Sequence, residues 1–175
     1  MEKEKLVKII IPVCIVLVVI GIWIFKNIDK GSSEGLITPK NDGDFLLEAT
    51  SIDLEALTSY DLPIIIDFGA DSCIPCKEMA PVLKKLNTDM QGKAIIKFVD
   101  VWKNRAAAND FPIQVIPTQV FINADGTPYV PSDNIKFQFK FYDYKETKKH
   151  AFTVHQGGLT EEQMRAILAD MGVTE

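Results

Sequence analysis

This chain is poor in the residues that build metal clusters or disulfide scaffolds: it has three cysteines and two histidines among 175 residues. Three cysteines are too few for a scaffold held together by disulfides. One of them, Cys14, lies inside an apolar run, so only Cys73 and Cys76 are left for the rest of the chain. Basic residues are also in the minority, 19 against 24 acidic ones, and the net charge is −5. Because the acidic excess lies after residue 30, we expect no nucleic-acid partner.

The long apolar run lies near the start of the chain, where residues 9–25 contain no charged side chain. With the three residues before it, including a Lys8 that can snorkel, a helix over this run is about 30 Å long, the thickness of a bilayer's hydrocarbon core. A cleaved signal peptide is the alternative, but the run is longer than usual and no Ala-x-Ala-like site follows it. The sequence therefore predicts a membrane anchor over residues 1–30, with the span at about 6–25.

Charges around the apolar run indicate its orientation. Three lysines and the terminal amine precede it, against Lys26 and Lys30 after it, which favours a cytoplasmic N-terminus. Residues 31–44 lack periodicity and are rich in Gly, Ser and Asn, so we expect a flexible linker there. The folded domain is then predicted over residues 45–175, outside the cytoplasm.

Within this domain, apolar strands alternate with amphipathic helices. The run Ile64-Ile-Ile is typical of a strand buried on both faces, and a helix pattern follows Cys73. The predicted elements are strands at residues 45–50, 62–69, 94–101, 118–123 and 151–155, and helices at 53–59, from about 73 to 87, at 106–111 and at 160–171. This order predicts an α/β domain with a mixed sheet.

The two remaining cysteines are separated by two residues, in Cys73-Ile74-Pro75-Cys76. The motif follows a buried strand and opens a helix, whose free N–H groups and positive dipole end favour a thiolate and lower its pKa. The spacing lets the second sulfur reach back to the first, so a Cys73–Cys76 disulfide can open and close with little backbone movement. We expect Cys73 to be the exposed attacking residue and Cys76 the buried resolving one.

Such a pair can also bind metal or serve as plain core thiols. A zinc site is disfavoured, because there is no second cysteine pair and the two histidines, His150 and His155, lie far downstream. A copper site with two cysteines and one histidine, and a pair of ordinary buried thiols, stay open as alternatives. We predict no metal site and no cofactor.

Residues 67–81, Asp-Phe-Gly-Ala-Asp-Ser-Cys-Ile-Pro-Cys-Lys-Glu-Met-Ala-Pro, resemble the active-site segment of the thioredoxin family. Two later segments agree in order, since Ile116-Pro117-Thr118 is similar to the family's cis-proline loop and residues 157–168 to its C-terminal helix. The resemblance covers most of residues 45–172. It implies a thioredoxin fold, with a central mixed sheet flanked by helices, and thiol–disulfide exchange.

The resemblance also implies roles for single residues. Asp67 matches the buried acid that assists proton transfer at the second cysteine, and burial in an apolar strand should raise its pKa. An ordinary hydrogen-bonded aspartate is the alternative. Pro117 is expected to be cis, so that the backbone beside it, at Ile116, can pair with an extended substrate. Ile74 and Pro75, between the cysteines, are expected to face the substrate.

Some positions depart from the family pattern. Gly69 and Ser72 stand where thioredoxins usually carry tryptophan, and Ile74 stands where they carry glycine. Near the buried acid the family has a lysine, but an ungapped comparison places Phe98 there, so Lys97 is given no role. These departures alter the rim that faces the substrate and leave the redox poise open.

Residues 129–149 form an insertion where a minimal thioredoxin has a tight turn. In it Phe137, Phe139 and Phe141 alternate with polar residues, which predicts a strand with one apolar face. We expect a β-rich extension of the terminal hairpin, with a docking face for a partner as the alternative. His155 is interpreted as a surface histidine, with tuning of charge near the active site as the alternative.

These features predict a single-pass cell-membrane protein, monomeric, that reduces disulfides of oxidised proteins outside the cytoplasm. Anchored thioredoxin-like proteins that it resembles take electrons from a thiol-electron transporter of the membrane and pass them to apocytochrome c or other oxidised proteins. A disulfide oxidase or isomerase of the same fold is one alternative. The other is a non-enzymatic copper or apoprotein chaperone that uses Cys73 and Cys76.

Overall fold

The computed structural model of this chain describes residue 41 and residues 43–174. Its elements are, in chain order, α1 (Leu54–Thr58), β1 (Ile64–Gly69), α2 (Ile74–Asp89), β2 (Ile95–Asp100), a short 3₁₀ helix (Arg105–Ala108), β3 (Thr118–Ile122), β4 (Lys140–Asp143), β5 (His150–Gln156) and α3 (Glu161–Asp170). Outside the insertion, the helices and strands predicted after residue 50 are therefore present, and the helix predicted at residues 106–111 is the short 3₁₀ helix that ends at Ala108.

In this part of the chain, no helix is both long enough and apolar enough to cross a membrane. The predicted span at residues 6–25 lies outside the described residues.

The five strands form one mixed sheet in the order β2-β1-β3-β5-β4. Only β1 and β2 pair in parallel, and the other neighbours are antiparallel. Alternate side chains of β1 enter different cores: Ile64 and Ile66 pack toward α1, while Ile65 packs with residues of α2 and α3. Asp67 has the same parity as Ile65, so the sheet directs its side chain toward α2.

Capping residues set where the helices begin. Asp53 accepts a hydrogen bond from the N–H of Ala56 and starts α1, and Thr160 and Gln163 form the predicted capping box of α3. Cys73 is the N-cap of α2, with extended backbone, and a proline follows within the first helical turn, where a missing N–H costs nothing. The cysteine motif is thereby fixed at the junction of the helix with the loop that leaves β1.

The prediction of a strand at residues 45–50 is wrong. This segment contains only an isolated bridge, between Glu48 and Phe98. Around this bridge, Phe98 donates a backbone hydrogen bond to Leu47 and accepts one from Ala49. The next carbonyl groups along the pairing, those of Phe45 and Ile96, accept hydrogen bonds from the Asn87 side chain instead, at 3.0 and 3.1 Å, so the segment does not continue as a ladder along β2.

The insertion contains one short strand, β4, instead of the longer strand predicted through its three phenylalanines. Phe137 and Phe139 precede β4 and pack on the core beneath α2 and α3, where the Phe139 ring meets those of Phe121 and Tyr129 edge-on. Phe141 lies in β4 and is 56% exposed, against His150. Most of the segment with alternating phenylalanines is therefore irregular in structure and packs on the domain, and only its end forms a strand.

Candidate active site

The two cysteines of the motif are joined in a disulfide at the start of α2. Their Cα atoms are 5.2 Å apart, as the turn from the N-cap into the first helical residues requires. Cys73 is partly exposed, whereas only 3% of Cys76 is exposed. The structure thus leaves the first sulfur accessible to another molecule and shields the second beneath it.

The N-terminus of α2 supplies the electrostatic environment of the first sulfur. The backbone N–H of Cys76 donates a hydrogen bond to Cys73 Sγ at 3.4 Å. At this position the helix dipole presents its positive end, and both effects stabilise a thiolate relative to a thiol. When the disulfide is reduced, Cys73 is therefore the sulfur that ionises more easily.

Asp67 lies on β1, fully buried, beneath the start of α2. Burial raises the pKa of its carboxyl group from 3.8 to about 7, and a hydrogen bond from the Gln119 side chain lowers it in part. Gln119 Nε2 donates to Asp67 Oδ1 at 2.7 Å. At neutral pH the carboxyl group therefore exists in comparable amounts as acid and as base, which is the condition for moving a proton in either direction.

The close approach of Gly69 explains how this acid is placed relative to the disulfide. A Cβ on Gly69 would lie 3.2 Å from Cys76 Sγ and 3.3 Å from Asp67 Oδ2. The distance between Cys76 Sγ and Asp67 Oδ2 is therefore at most the sum of these two distances. It would also lie 2.9 Å from the ring of Phe98, which is too close for a real carbon atom. The departures from the family pattern at Gly69 and Phe98 therefore depend on each other. The Phe98 ring packs directly on the backbone of Gly69, where a side chain would clash with it.

Lys97 does not approach the buried acid. In the parallel pairing of β1 with β2, Asp67 is opposite Phe98 and Ile66 is opposite Lys97. The lysine therefore projects to the other face of the sheet, where its ammonium binds the carbonyl groups of Gly43 and Leu46 and where burial lowers its pKa. Lys97 therefore lies away from the disulfide and the buried acid.

The loop before β3 contains a cis peptide bond between Ile116 and Pro117, as the resemblance implies. The carbonyl of Pro117 accepts a hydrogen bond from the N–H of Gly157 at 2.9 Å, which ties this loop to the end of β5. Pro117 is buried and Ile116 is partly exposed. Gly157 has a φ of 114°, a backbone conformation that favours glycine.

Large apolar side chains are exposed beside the disulfide, next to the polar Asp71, Ser72 and Lys77. Ile74 is 72% exposed and Pro75 is exposed as well, so the two residues between the cysteines face solvent. Trp102 and Val115 are also large exposed apolar residues, 64% and 51%, in the loops that follow β2 and precede Ile116. Sequence reasoning missed Trp102, although an aromatic residue two positions after the carboxyl end of a parallel strand is a usable signal.

The Asp100 carboxylate holds the loop that precedes the cysteines in position by hydrogen bonds. Its Oδ2 accepts a hydrogen bond from the N–H of Asp71 at 3.1 Å, and its Oδ1 accepts from the N–H groups of Trp102 and Lys103. Burial raises the pKa of Asp100, but these backbone donors more than offset that effect and hold the pKa below its ordinary value. Lys103 also pairs with Asp71 itself. The loops on either side of the disulfide are thus joined through one carboxylate.

Asp100→Asn is expected to destabilise the oxidised protein by about 1–3 kcal/mol, because the amide nitrogen would face the N–H of Asp71, two donors with no acceptor between them. Urea unfolding of the full chain measures this loss. Asp125→Asn is the matched control, since Thr127 binds only Oδ1 of that exposed aspartate and an asparagine keeps this oxygen. Equal losses in the free energy of unfolding of the two variants would contradict the proposed stabilisation of the loops by Asp100.

His155 holds the insertion against the domain. Its Nδ1 lies 2.8 Å from the carbonyl oxygen of Gln138, so this nitrogen carries the proton and donates, and the Phe139 ring packs edge-on against the imidazole. The histidine is partly exposed, as a position at the surface implies. Its contacts give it a structural role in attaching the insertion.

Among the described residues, no group of three or more His, Cys, Asp and Glu side chains is arranged to hold a metal ion. The arrangement that is present consists of a disulfide at a helix N-terminus, a buried acid beside the second sulfur and a cis-proline loop. Chemically it can accept and release an electron pair through the disulfide and can move a proton at the buried cysteine.

Comparisons with known proteins agree with this geometry. A family model described as Thioredoxin matches residues 50–136. The chain is 37% identical over 78 residues to a thioredoxin of Haemophilus influenzae, covering 44% of this chain and 73% of that protein. It is 32% identical over 96 residues to a thioredoxin of Staphylococcus aureus, covering 51% of this chain and 90% of that protein. Among solved structures it is similar to a chloroplastic thioredoxin z, with a TM-score of 0.51, 25% identity and coverage of 73% of this chain and 94% of that one.

Proposed function

The chain belongs to the thioredoxin family and is a disulfide oxidoreductase, and we propose that it works as a membrane-tethered reductase of protein disulfides outside the cytoplasm. The observation that carries the proposal is the buried Asp67 with a pKa of about 7, placed across Gly69 from Cys76. Reduction requires the shielded thiol to lose its proton in every turnover. A base of this pKa can accept that proton at neutral pH.

In the first step, the Cys73 thiolate attacks one sulfur of a substrate disulfide. A bond forms between Cys73 Sγ and that sulfur, and the other substrate sulfur leaves as a thiolate. The helix N-terminus stabilises the attacking thiolate, and the partial exposure of Cys73 gives the substrate access to it. The product of this step is a mixed disulfide between the protein and its substrate.

In the second step, Asp67 accepts the proton of the Cys76 thiol, and the resulting thiolate attacks Cys73 Sγ. The mixed disulfide breaks, the second substrate sulfur leaves as a thiolate, and the Cys73–Cys76 disulfide forms. The substrate has then gained two electrons and the protein has lost two. An upstream dithiol returns both electrons and becomes a disulfide itself.

The exposed apolar side chains near the disulfide are proposed to hold the substrate during these steps. A surface cavity of about 370 Å³ is lined by Ile116 and Trp102 and also by the polar side chains of Arg105, Asn109 and Gln114. We expect an extended substrate segment to pair with the backbone beside the cis Pro117 and to cover Ile74 and Pro75. The exposed ring of Trp102 would add apolar contact area, since aromatic residues dominate the energetics of such surfaces.

The predicted anchor and the direction of electron flow support each other. The compartment outside the cytoplasm has no soluble reducing pool of its own, so a reductase there needs a donor in the membrane. A tether at residues 1–30 would hold the domain beside a membrane thiol-electron transporter and raise its effective concentration at that donor. Donor and substrate are thus proposed to be proteins that carry a dithiol and an oxidised cysteine pair, respectively.

Thiol trapping in intact cells tests the direction of exchange. We expect Cys73 and Cys76 to be mostly reduced at steady state, because the donor of a reductase keeps its cysteine pair in the dithiol form. The full chain is precipitated with acid and alkylated, and the fractions of free and bonded thiols are compared with those in a Cys73→Ser control. A mostly oxidised pair would contradict reduction and favour an oxidase.

Labelling of intact cells tests the proposed location. A membrane-impermeant maleimide is expected to label Cys73 when the pair is reduced, since this residue is partly exposed in the folded domain. Cys73→Ser serves as the background control. Resistance of reduced Cys73 to the reagent in intact cells, with full labelling after lysis, would place the domain inside the cytoplasm and overturn the proposal.

A further inference from the structure

Gln119 is a polar residue in the core that sequence reasoning gave no role. It lies in β3 directly opposite Asp67 of β1 and is fully buried. Its Nε2 donates to Asp67 Oδ1 at 2.7 Å and also lies 3.5 Å from Met79 Sδ. Burying an amide in an apolar core costs free energy unless it is hydrogen-bonded, and the acceptor that Gln119 has there is the buried acid.

The hydrogen bond makes the two carboxyl oxygens of Asp67 inequivalent. Oδ1 is held by the Gln119 amide, whereas Oδ2 has no hydrogen-bond partner among the described residues. Oδ2 is also the oxygen that faces the space beside Gly69, where Cys76 Sγ lies. A proton on the carboxyl group therefore has its place on Oδ2, on the side of the buried cysteine.

We propose that Gln119 is the positioning residue of the proton-transfer step: its amide fixes the carboxyl group of Asp67 so that Oδ2 faces Cys76 and the ionised form is favoured. This inference rests on the proposed role of Asp67 as proton acceptor. Among the described residues no hydrogen bond joins Gln119 to Cys73 or Cys76, so the proposed role of Gln119 is exerted through the acid. The amide donates to the carboxylate and so opposes the effect of burial, in agreement with its lowering of the Asp67 pKa.

Gln119→Met removes the donor while keeping the length and approximate volume of the side chain. A hydrogen bond donated to a carboxylate lowers the pKa of that group by about one unit or more. Without the donor, the Asp67 pKa is therefore expected to rise from about 7 to about 8. This shift is measured by ¹³C NMR of aspartate-labelled, oxidised full-length chain. Since the base form is then the minority at pH 7, the mixed disulfide should resolve about fivefold more slowly there, and the rate should recover at higher pH.

Two further variants separate this inference from a merely structural effect. Gln156→Met is the matched control, since it removes a buried amide of the neighbouring strand β5 and makes no contact assigned to Asp67; the Asp67 pKa is expected to stay where it is. In an Asp67→Asn background, Gln119→Met should cause no further change in the pH profile, because the residue acts through the acid.

The outcomes distinguish the two levels of the proposal. An Asp67→Asn chain with the pH profile of the wild type would overturn the role of the acid and, with it, the proposed mechanism. If Asp67→Asn changes the profile but Gln119→Met leaves the Asp67 pKa and the profile unchanged, only the role of Gln119 is overturned. A loss of activity in Gln119→Met that is equal at every pH would also overturn it, since it would indicate damage to the fold.

Discussion

Cys73→Ser is expected to lower the reduction of a protein disulfide by the full-length chain by about a thousandfold or more, to the rate without protein. The reaction begins with attack by this sulfur, and a serine hydroxyl at neutral pH is neither ionised nor able to form a disulfide. Insulin reduction with dithiothreitol as electron source measures the rate. Cys14→Ser is the matched control, because it removes the one cysteine outside the motif and should leave the rate unchanged.

The second cysteine gives a different expected result. Cys76→Ser keeps the attacking sulfur but removes the resolving one, so the mixed disulfide with the substrate should accumulate and turnover should stop. Non-reducing electrophoresis detects this adduct, which Cys73→Ser should not form. Adducts formed through Cys76 in the Cys73→Ser chain would reverse the assigned order of the two sulfurs, which follows from the partial exposure of one and the burial of the other.

Much of the site could be predicted because its parts are local. An apolar run such as Ile64-Ile-Ile defines a buried strand, and a cysteine pair at spacing three with a proline inside it defines the start of a helix. The raised pKa of Asp67 follows from the same run, since a carboxylate in a strand that is buried on both faces is not stabilised by water. None of these inferences requires knowledge of which strands are neighbours.

The parts that sequence reasoning missed depend on neighbours that are distant in the chain. Gln119 meets Asp67 only through the register of β1 with β3, across 52 positions of sequence. The contact of Phe98 with Gly69 likewise depends on the pairing of β1 with β2. The prediction of a strand at residues 45–50 is wrong for the same reason, because Asn87, far along the chain, binds the carbonyl groups of Phe45 and Ile96 that a ladder would need.

Asp67→Asn is expected to stabilise the oxidised protein by about 4 kcal/mol at pH 8–9 and by almost nothing near pH 4. The pKa of Asp67 is 3.8 under ordinary conditions and about 7 in the folded protein. Below about pH 3 the carboxyl group is neutral in both states. As the pH rises toward 7 the unfolded chain releases a proton that the folded chain keeps, so folding loses free energy until the folded group ionises as well. An asparagine does not titrate and escapes this loss.

Urea unfolding of the oxidised full-length chain from pH 4 to 9 measures the difference between the variant and the wild type. Asp125→Asn is the control for the loss of one negative charge, because Thr127 lowers the pKa of that exposed aspartate and its replacement should not stabilise the protein at any pH. The sign of the Asp67 effect decides between the two interpretations of this residue. An ordinary hydrogen-bonded aspartate has a lowered pKa and would make the asparagine variant less stable at high pH. A gain in stability combined with slower resolution of the mixed disulfide would show that the chain keeps a carboxyl group at a cost to its folding because the reaction needs a base beside Cys76.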